Sequence, residues 1–301
     1  MKIYYDNSAN AELVCHRRAQ YRLLFGIETK PSAEMQFGSA AHRVLECVCR
    51  GATDSYDDKN QPVPFGAPLP AEYIMQLPQL IDDATTRFTL NSLQLPKFRV
   101  LTRWLIEHDI APVPIELVHG TPAVELKFTV PHGELVLCGT MDNLSVENDK
   151  LVVTDYKFTT SKYPSDYMRE YRLKTQLWFY MYVIKHFGSQ FLPSKYIGMP
   201  LAARIRAVFY ENGLDTRDTE LCLCDDYVDT AMSSIMTLMV ARLRAVMAYH
   251  NNNELAPKTG MATGSCYKCP FAYICQLHND TEERKQIEQA SKKQYNPLLF
   301  R

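Results

Sequence analysis

Hydrophobic and polar positions change period near residue 114, and that change divides the chain. Upstream, apolar residues recur at helical spacing over 8–25, where Ser8 or Asn10 would cap the helix. They do so again over 37–50, a stretch opened by Phe37-Gly-Ser-Ala-Ala-His42. Residues 51–70 hold four prolines and two glycines and read as a loop. Helical spacing returns over 71–109, with a break expected near Pro96. From 114 the pattern is that of strands, at 114–119, 123–130, 135–144 and 151–158. The last two make a hairpin with Glu147-Asn-Asp-Lys150 as its polar turn. A long helix follows over 166–187, strand signals return around 195–210 and 220–224, and Asp226 opens a helix to about residue 250. Its stripe of Val228, Met232, Ile235, Met239, Leu243 and Val246 is a core face. Residues 251–265 read as a loop and 280–294 as a charged terminal helix. Helices, a strand block, a helix, strands and a helix, in that order, describe an α/β fold: a central sheet flanked by helices, with a helical N-terminal insertion.

Composition narrows the function classes. The chain has 301 residues, 46% hydrophobic, enough for one large domain. Net charge is −1, so any nucleic-acid binding must use a local basic patch. The N-terminus lacks the apolar core of a signal peptide, and no apolar run is expected to span a membrane, since Arg242 and Arg244 interrupt the Met- and Val-rich stretch 231–247. A cytoplasmic protein is expected, without a membrane partner. Nine cysteines in a reducing compartment argue for metal or packing roles.

The chemistry concentrates in Gly139-Thr-Met-Asp142 and Val152-Val-Thr-Asp155-Tyr-Lys157. Alternation along a strand puts Asp155 and Lys157 on one face, and Asp142 can lie opposite them. Two carboxylates that close repel unless a cation bridges them, and a hard ion such as Mg²⁺ or Mn²⁺ suits oxygen ligands. A lysine beside that ion suits a reaction building negative charge on phosphorus. Gln176 and Tyr180, four apart on the next helix, share a face that can turn toward these acids, to hold a phosphate or brace the lysine. His42, behind small residues, offers a third ligand for a divalent ion. Glu125 is a further carboxylate, either added to the site or paired with Lys127.

Cys266-Tyr-Lys-Cys269-Pro-Phe-Ala-Tyr-Ile-Cys275 places three thiols where they can wrap one side of a metal centre. Cys15 is the candidate fourth ligand, and these thiols suit zinc and iron–sulfur alike. Cys47, Cys49, Cys138, Cys222 and Cys224 read as packing residues.

In this order, Cys15, His42, Gly139–Asp142, Asp155–Lys157, Gln176–Tyr180 and the closing cysteine triplet resemble the RecB-like branch of the PD-(D/E)XK nuclease superfamily. The likeness is to its iron–sulfur members: the CRISPR-associated RecB-like exonucleases, the AddB nuclease domain and the exonuclease V group. It covers most of the chain; residues 51–110 match no motif. The resemblance implies a restriction-endonuclease-like mixed sheet within one nuclease domain. Residues 1–110 would be its helical part, 111–250 the core, 251–279 an iron–sulfur segment and 280–301 a tail. It also implies a 4Fe–4S cluster on Cys15, Cys266, Cys269 and Cys275, and Mg²⁺ or Mn²⁺ on His42, Asp142, Asp155 and the Tyr156 carbonyl. The activity implied is cleavage of DNA, commonly from single-stranded ends, in repair, recombination or CRISPR-related processing with partner proteins. A structure-selective endonuclease, an end-trimming subunit, a silent DNA-binding module and a zinc-stapled structural protein are the alternatives. Tyr163, Tyr167 or Trp178 would stack on bases, and Arg17, Arg18, Arg22, Arg169, Arg172 and Lys174 would form the basic track. The tail 295–300 could dock on a partner but reads first as a frayed end.

Overall fold

The structure is a computed structural model. It describes residues 3–6, 12–27, 29, 31–50, 77–108, 110–171, 175–211, 213–259, 266, 269–275 and 280–290. In chain order the elements are β1 (Ile3–Tyr5), α1 (His16–Ala19), α2 (Ala33–Arg50), α3 (Leu77–Arg87), α4 (Gln94–Glu107), β2 (Val124–His132), β3 (Leu135–Glu147) and β4 (Lys150–Thr159). There follow α5 (Pro164–Tyr171), α6 (Thr175–Phe187), β5 (Leu201–Phe209), β6 (Asp215–Asp218), β7 (Cys222–Leu223), α7 (Asp226–Asn251), α8 (Ala272–Cys275) and α9 (Asp280–Ala290). The chain divides into two compact units: residues 31–127 with 140–228, and residues 1–30 with 128–139 and 229–301.

The larger unit is organised on β4. Leu151 to Tyr156 are buried without interruption, the pattern of a strand covered on both faces. β3 pairs antiparallel with β4, β4 parallel with β5, and β5 antiparallel with β6 and β7, giving a mixed sheet. Asn148 and Asp149 both take positive φ, +47° and +58°, so the expected hairpin turn is the two-residue kind that matches strand twist. On one face, Phe37, Ala40, Ala41, Val44 and Leu45 of α2 recur at helical spacing and pack with Phe98, Leu101 and Leu105 of α4 against Tyr156 and Val208. On the other, α6 lies along β4 and β5. This is the expected α/β architecture, a central sheet flanked by helices.

Several boundaries differ from the sequence reading. The break in the helical region 71–109 falls at 88–93, not at Pro96, which sits in the first turn of α4. Proline fits there because that turn has no intrahelical partner for its N–H. Asn91 Oδ1 accepts from the N–H of Leu93 and Gln94, and Gln94 Oε1 accepts from the N–H of Asn91, which fixes the start of the helix. The strand expected at 114–119 is reduced to two isolated bridges, Pro114 with Ser145 and Glu116 with Pro122. The expected helix 166–187 is two helices, α5 and α6, and residues 172–174 between them lie outside the described residues. So do Ser8, Asn10, the loop 51–70 and the tail 295–300.

In the smaller unit β1 pairs parallel with Leu135–Leu137, a strand the sequence reading missed. The expected helix over 8–25 is described as α1 followed by a π turn at Gln20–Leu24. Helix α7 is long and apolar enough, by length and composition, to cross a membrane, which corrects the expectation that no run reaches that length. Met232, Met236, Met239, Val240, Leu243 and Val246 on it are nonetheless buried, as on a core helix. Ile235, expected on that stripe, is only half-buried, and Met236 lies on the buried face.

Candidate active site

The β3–β4 ladder ends at Asn143 and Thr154, and the candidate chemistry begins one residue further on. Asp142 Oδ2 accepts the Tyr156 N–H at 2.7 Å, so a carboxylate is tied to the neighbouring strand's backbone. Asp155 faces α6: its Oδ1 accepts from Gln176 Nε2 at 2.8 Å, and the same amide group donates to the Tyr180 hydroxyl at 2.8 Å. The Lys157 ammonium stands 2.5 Å from Asp155 Oδ2. Strand alternation thus places Asp155 and Lys157 together, as the sequence reading expected, and the i, i+4 spacing joins Gln176 to Tyr180.

From the opposite layer, α2 presents His42. Its Nδ1 lies 3.6 Å from Glu125 Oε1 and 3.6 Å from Asp142 Oδ2, and its ring meets Phe158 edge-on. One ligand atom from each of His42, Glu125 and Asp142 falls within 4.8 Å of the others. The site therefore has two halves: an imidazole with two carboxylates, and an aspartate held by a lysine and a glutamine. Tyr156 joins through its N–H, while its ring is buried in the apolar cluster under α2 and α4.

Burial raises the Asp142 carboxyl above its ordinary value, outweighing the attraction of His42 and Lys157. Burial also pushes Asp155 up to about 6, against the pull of Lys157 and with help from Asp142. For His42 burial works against the charge, but Asp142 and Glu125 outweigh it, and the net direction is upward. Acids that resist ionisation beside an imidazole that favours protonation describe a pocket short of positive charge. The His42, Glu125 and Asp142 side chains are only partly buried, so an ion has an approach. One nitrogen and two carboxylates fit a divalent ion such as Mn²⁺ or Mg²⁺.

Of the two places the sequence leaves open for Glu125, the site or Lys127, the structure puts it beside His42. Nothing in the strand pattern marks it, because the backbone there is left-handed, with φ +47°.

The cysteines fall in the smaller unit. Cys15 is buried, Cys269 and Cys275 are half-buried, and Cys266 is exposed. The Cys269 N–H donates to the Cys266 carbonyl, and Cys269 and Cys275 pack against Tyr21, Phe271 and Ile274. Cys15 and Cys269 both act electrostatically on the Arg18 guanidinium, and Cys15 acts on the Cys275 thiol, so residues far apart in sequence share one neighbourhood.

The expected basic track is corrected in part. Arg17 is buried: it donates to Glu283 and to the Ala256 carbonyl, and Tyr21 donates to the same fully buried Glu283. Arg17 is a structural pin, inaccessible to a phosphate. Arg18 pairs with Glu12, Arg22 donates to the Ile27 carbonyl, and Arg169 pairs with Asp166. Arg172 and Lys174 lie outside the described residues. Tyr163 is exposed, whereas Tyr167 packs edge-on to Phe209 and Trp178 edge-on to Tyr227.

Acids, an imidazole and a lysine gathered at the parting of two strands suit metal-assisted hydrolysis. The sequence profile of the PD-(D/E)XK nuclease superfamily matches residues 8–276, and the chain belongs to that superfamily. It is thus a nuclease, of a superfamily that uses divalent metals such as Mg²⁺ or Mn²⁺. Among solved structures, one similar chain is a presumed exonuclease from Eubacterium rectale. It is 13% identical, with 82% of each chain covered and a TM-score of 0.43. A search of curated proteins finds no match.

Proposed function

We propose that this nuclease is a metal-dependent deoxyribonuclease of the RecB-like iron–sulfur branch, an exonuclease acting on single-stranded DNA ends in repair, recombination or CRISPR-related processing. The observation that carries the reading is the convergence of Asp142, Asp155, Lys157, His42 and Gln176 on one partly buried pocket. In this proposal His42, Asp142 and Asp155, with the Tyr156 carbonyl, would hold a divalent ion. When bound, that ion makes water acidic enough to attack near neutral pH and offsets charge on the phosphate. Lys157 stabilises the charge that grows on the phosphorus oxygens, and Gln176 holds Asp155 in line while Tyr180 braces Gln176. Tyr163, exposed after β4, would stack on an unpaired base.

Cys15, Cys266, Cys269 and Cys275 are proposed to hold a 4Fe–4S cluster, with a staple rather than a redox role. The shared neighbourhood of Cys15, Cys269 and Cys275 supports it, as does the motif order. We treat residues 111–250 as the nuclease core of one domain.

The test is anaerobic purification followed by incubation with end-labelled linear single strands, circular single strands and duplexes, with Mn²⁺. Linear strands should shorten and circles should persist; cut circles would make the enzyme an endonuclease. Asp155→Ala and Lys157→Ala should abolish cleavage while keeping the fold and the brown colour. Cleavage by Lys157→Ala at the normal rate would sink the proposed site. Cys269→Ala should lose visible absorbance, and a colourless native protein containing zinc would replace iron–sulfur with a zinc staple.

A further inference from the structure

We propose that Glu125, which belongs to neither the Gly-x-x-Asp nor the Asp-x-Lys motif, is a metal-holding residue of this site. We infer further that its unusual backbone is kept for that purpose. The inference rests on the reading of the site as a metal-dependent nuclease.

Glu125 is the second residue of β2 and has φ +47°, in the left-handed region that L-residues with a Cβ disfavour. Glycine, asparagine and aspartate enter that region more readily; glutamate has no comparable local hydrogen bond to compensate. The backbone just before it is firmly fixed. The Ala123 N–H donates to the Ile115 carbonyl, the Leu144 N–H donates to the Ala123 carbonyl, and the Val124 N–H donates to the Pro122 carbonyl. The chain is therefore anchored immediately upstream, and the left-handed turn decides where the Glu125 side chain goes. It goes to His42, 3.6 Å from Nδ1, and into the reach of Asp142. A glutamate is thus held in a disfavoured conformation beside a second carboxylate that it repels. A cation between them turns that repulsion into attraction.

The commitments of the other acid point the same way. Asp155 Oδ1 is engaged by Gln176 and its Oδ2 by Lys157. His42, Glu125 and Asp142 are the groups whose ligand atoms already lie together. The first ion would then settle on the His42, Glu125 and Asp142 set, and Asp155 would be the partner of Lys157 until that lysine shifts.

The experiment measures Mn²⁺ binding by calorimetry and by the Mn²⁺ electron-spin signal, on full-length protein without DNA. Wild type, Glu125→Gln, Glu125→Asn and Asp142→Asn are compared, each with its melting temperature in EDTA. Glu125→Gln keeps the shape and a hydrogen-bond acceptor but removes the charge, so its Mn²⁺ affinity should fall by about tenfold or more, the scale on which even outlying partners of a metal site act. Glu125→Asn should also lose affinity, while melting at or above the wild-type temperature in EDTA, because asparagine accepts positive φ. Full Mn²⁺ affinity in Glu125→Gln, with binding lost in Asp142→Asn, would overturn the Glu125 assignment and leave the nuclease site standing. A lower melting temperature for Glu125→Asn in EDTA would overturn the claim that the backbone serves the metal. No Mn²⁺ binding by the wild type at all would remove the reading of the site on which both claims rest.

Discussion

Replacing Asp155 with asparagine should change how the metal-free protein responds to pH. The side chain is 1% exposed, and burial, opposed by Lys157 and reinforced by Asp142, pushes its carboxyl up to about 6. In the unfolded chain the same group has an ordinary value near ~3.9. A raised folded value means that the folded state holds the proton more tightly. The resulting stability is complete below the unfolded value and is lost as pH rises through the folded one. At pH 5 most folded molecules carry the proton and most unfolded ones do not; by pH 7.5 neither does. Since one pKa unit is worth about 1.4 kcal/mol, wild type should lose about 1.4 kcal/mol relative to Asp155→Asn between those two pH values. For a chain of this size that is roughly 2 °C in melting temperature. The assay is thermal unfolding of both proteins in EDTA at pH 5 and pH 7.5, read as wild type minus variant so that other titrating groups cancel. Mn²⁺ at pH 7.5 should raise the melting temperature of both proteins, because the first ion is expected on His42, Glu125 and Asp142. A wild-type-minus-variant difference that stays flat with pH would refute the claim that burial governs this carboxyl.

Three further outcomes follow from the geometry. Glu283→Ala strands the buried Arg17 guanidinium and the Tyr21 hydroxyl, and should cost about 3–5 kcal/mol in urea unfolding. Combining Arg17→Met with Glu283→Leu should recover most of that loss, and a single variant as stable as wild type would show that the pair is not closed in solution. Asn91→Ala removes the acceptor for the first N–H groups of α4 and should cost about 1 kcal/mol, measured in the same way. Gln176→Leu leaves one Asp155 oxygen without its donor. Cleavage should fall much further than in Tyr180→Phe, which removes only the outer hydroxyl, and equal losses would place Tyr180 on the substrate instead.

Asp142, Asp155, Lys157, Gln176 and Tyr180 could be read as one site from the sequence because their relations are short-range. Strand alternation pairs Asp155 with Lys157, one hairpin brings Asp142 alongside, and one helical turn links Gln176 to Tyr180. The β4 strand was legible for the same reason, as an unbroken apolar run bounded by a two-residue polar turn. What depended on tertiary structure was every relation without a period. Arg17 looks like a solvated helix cation in sequence, and only the arrival of Glu283, 266 positions later, makes it a buried pin. Glu125 looks like the outward residue of a strand, and only a left-handed backbone, fixed by contacts to Ile115 and Leu144, turns it toward His42. Local spacing determines which side chains can share a face. Where a charge ends up, in water or in the dry interior beside a partner, is set by the packing of distant segments, and that packing decides whether the charge pins the fold or serves the chemistry.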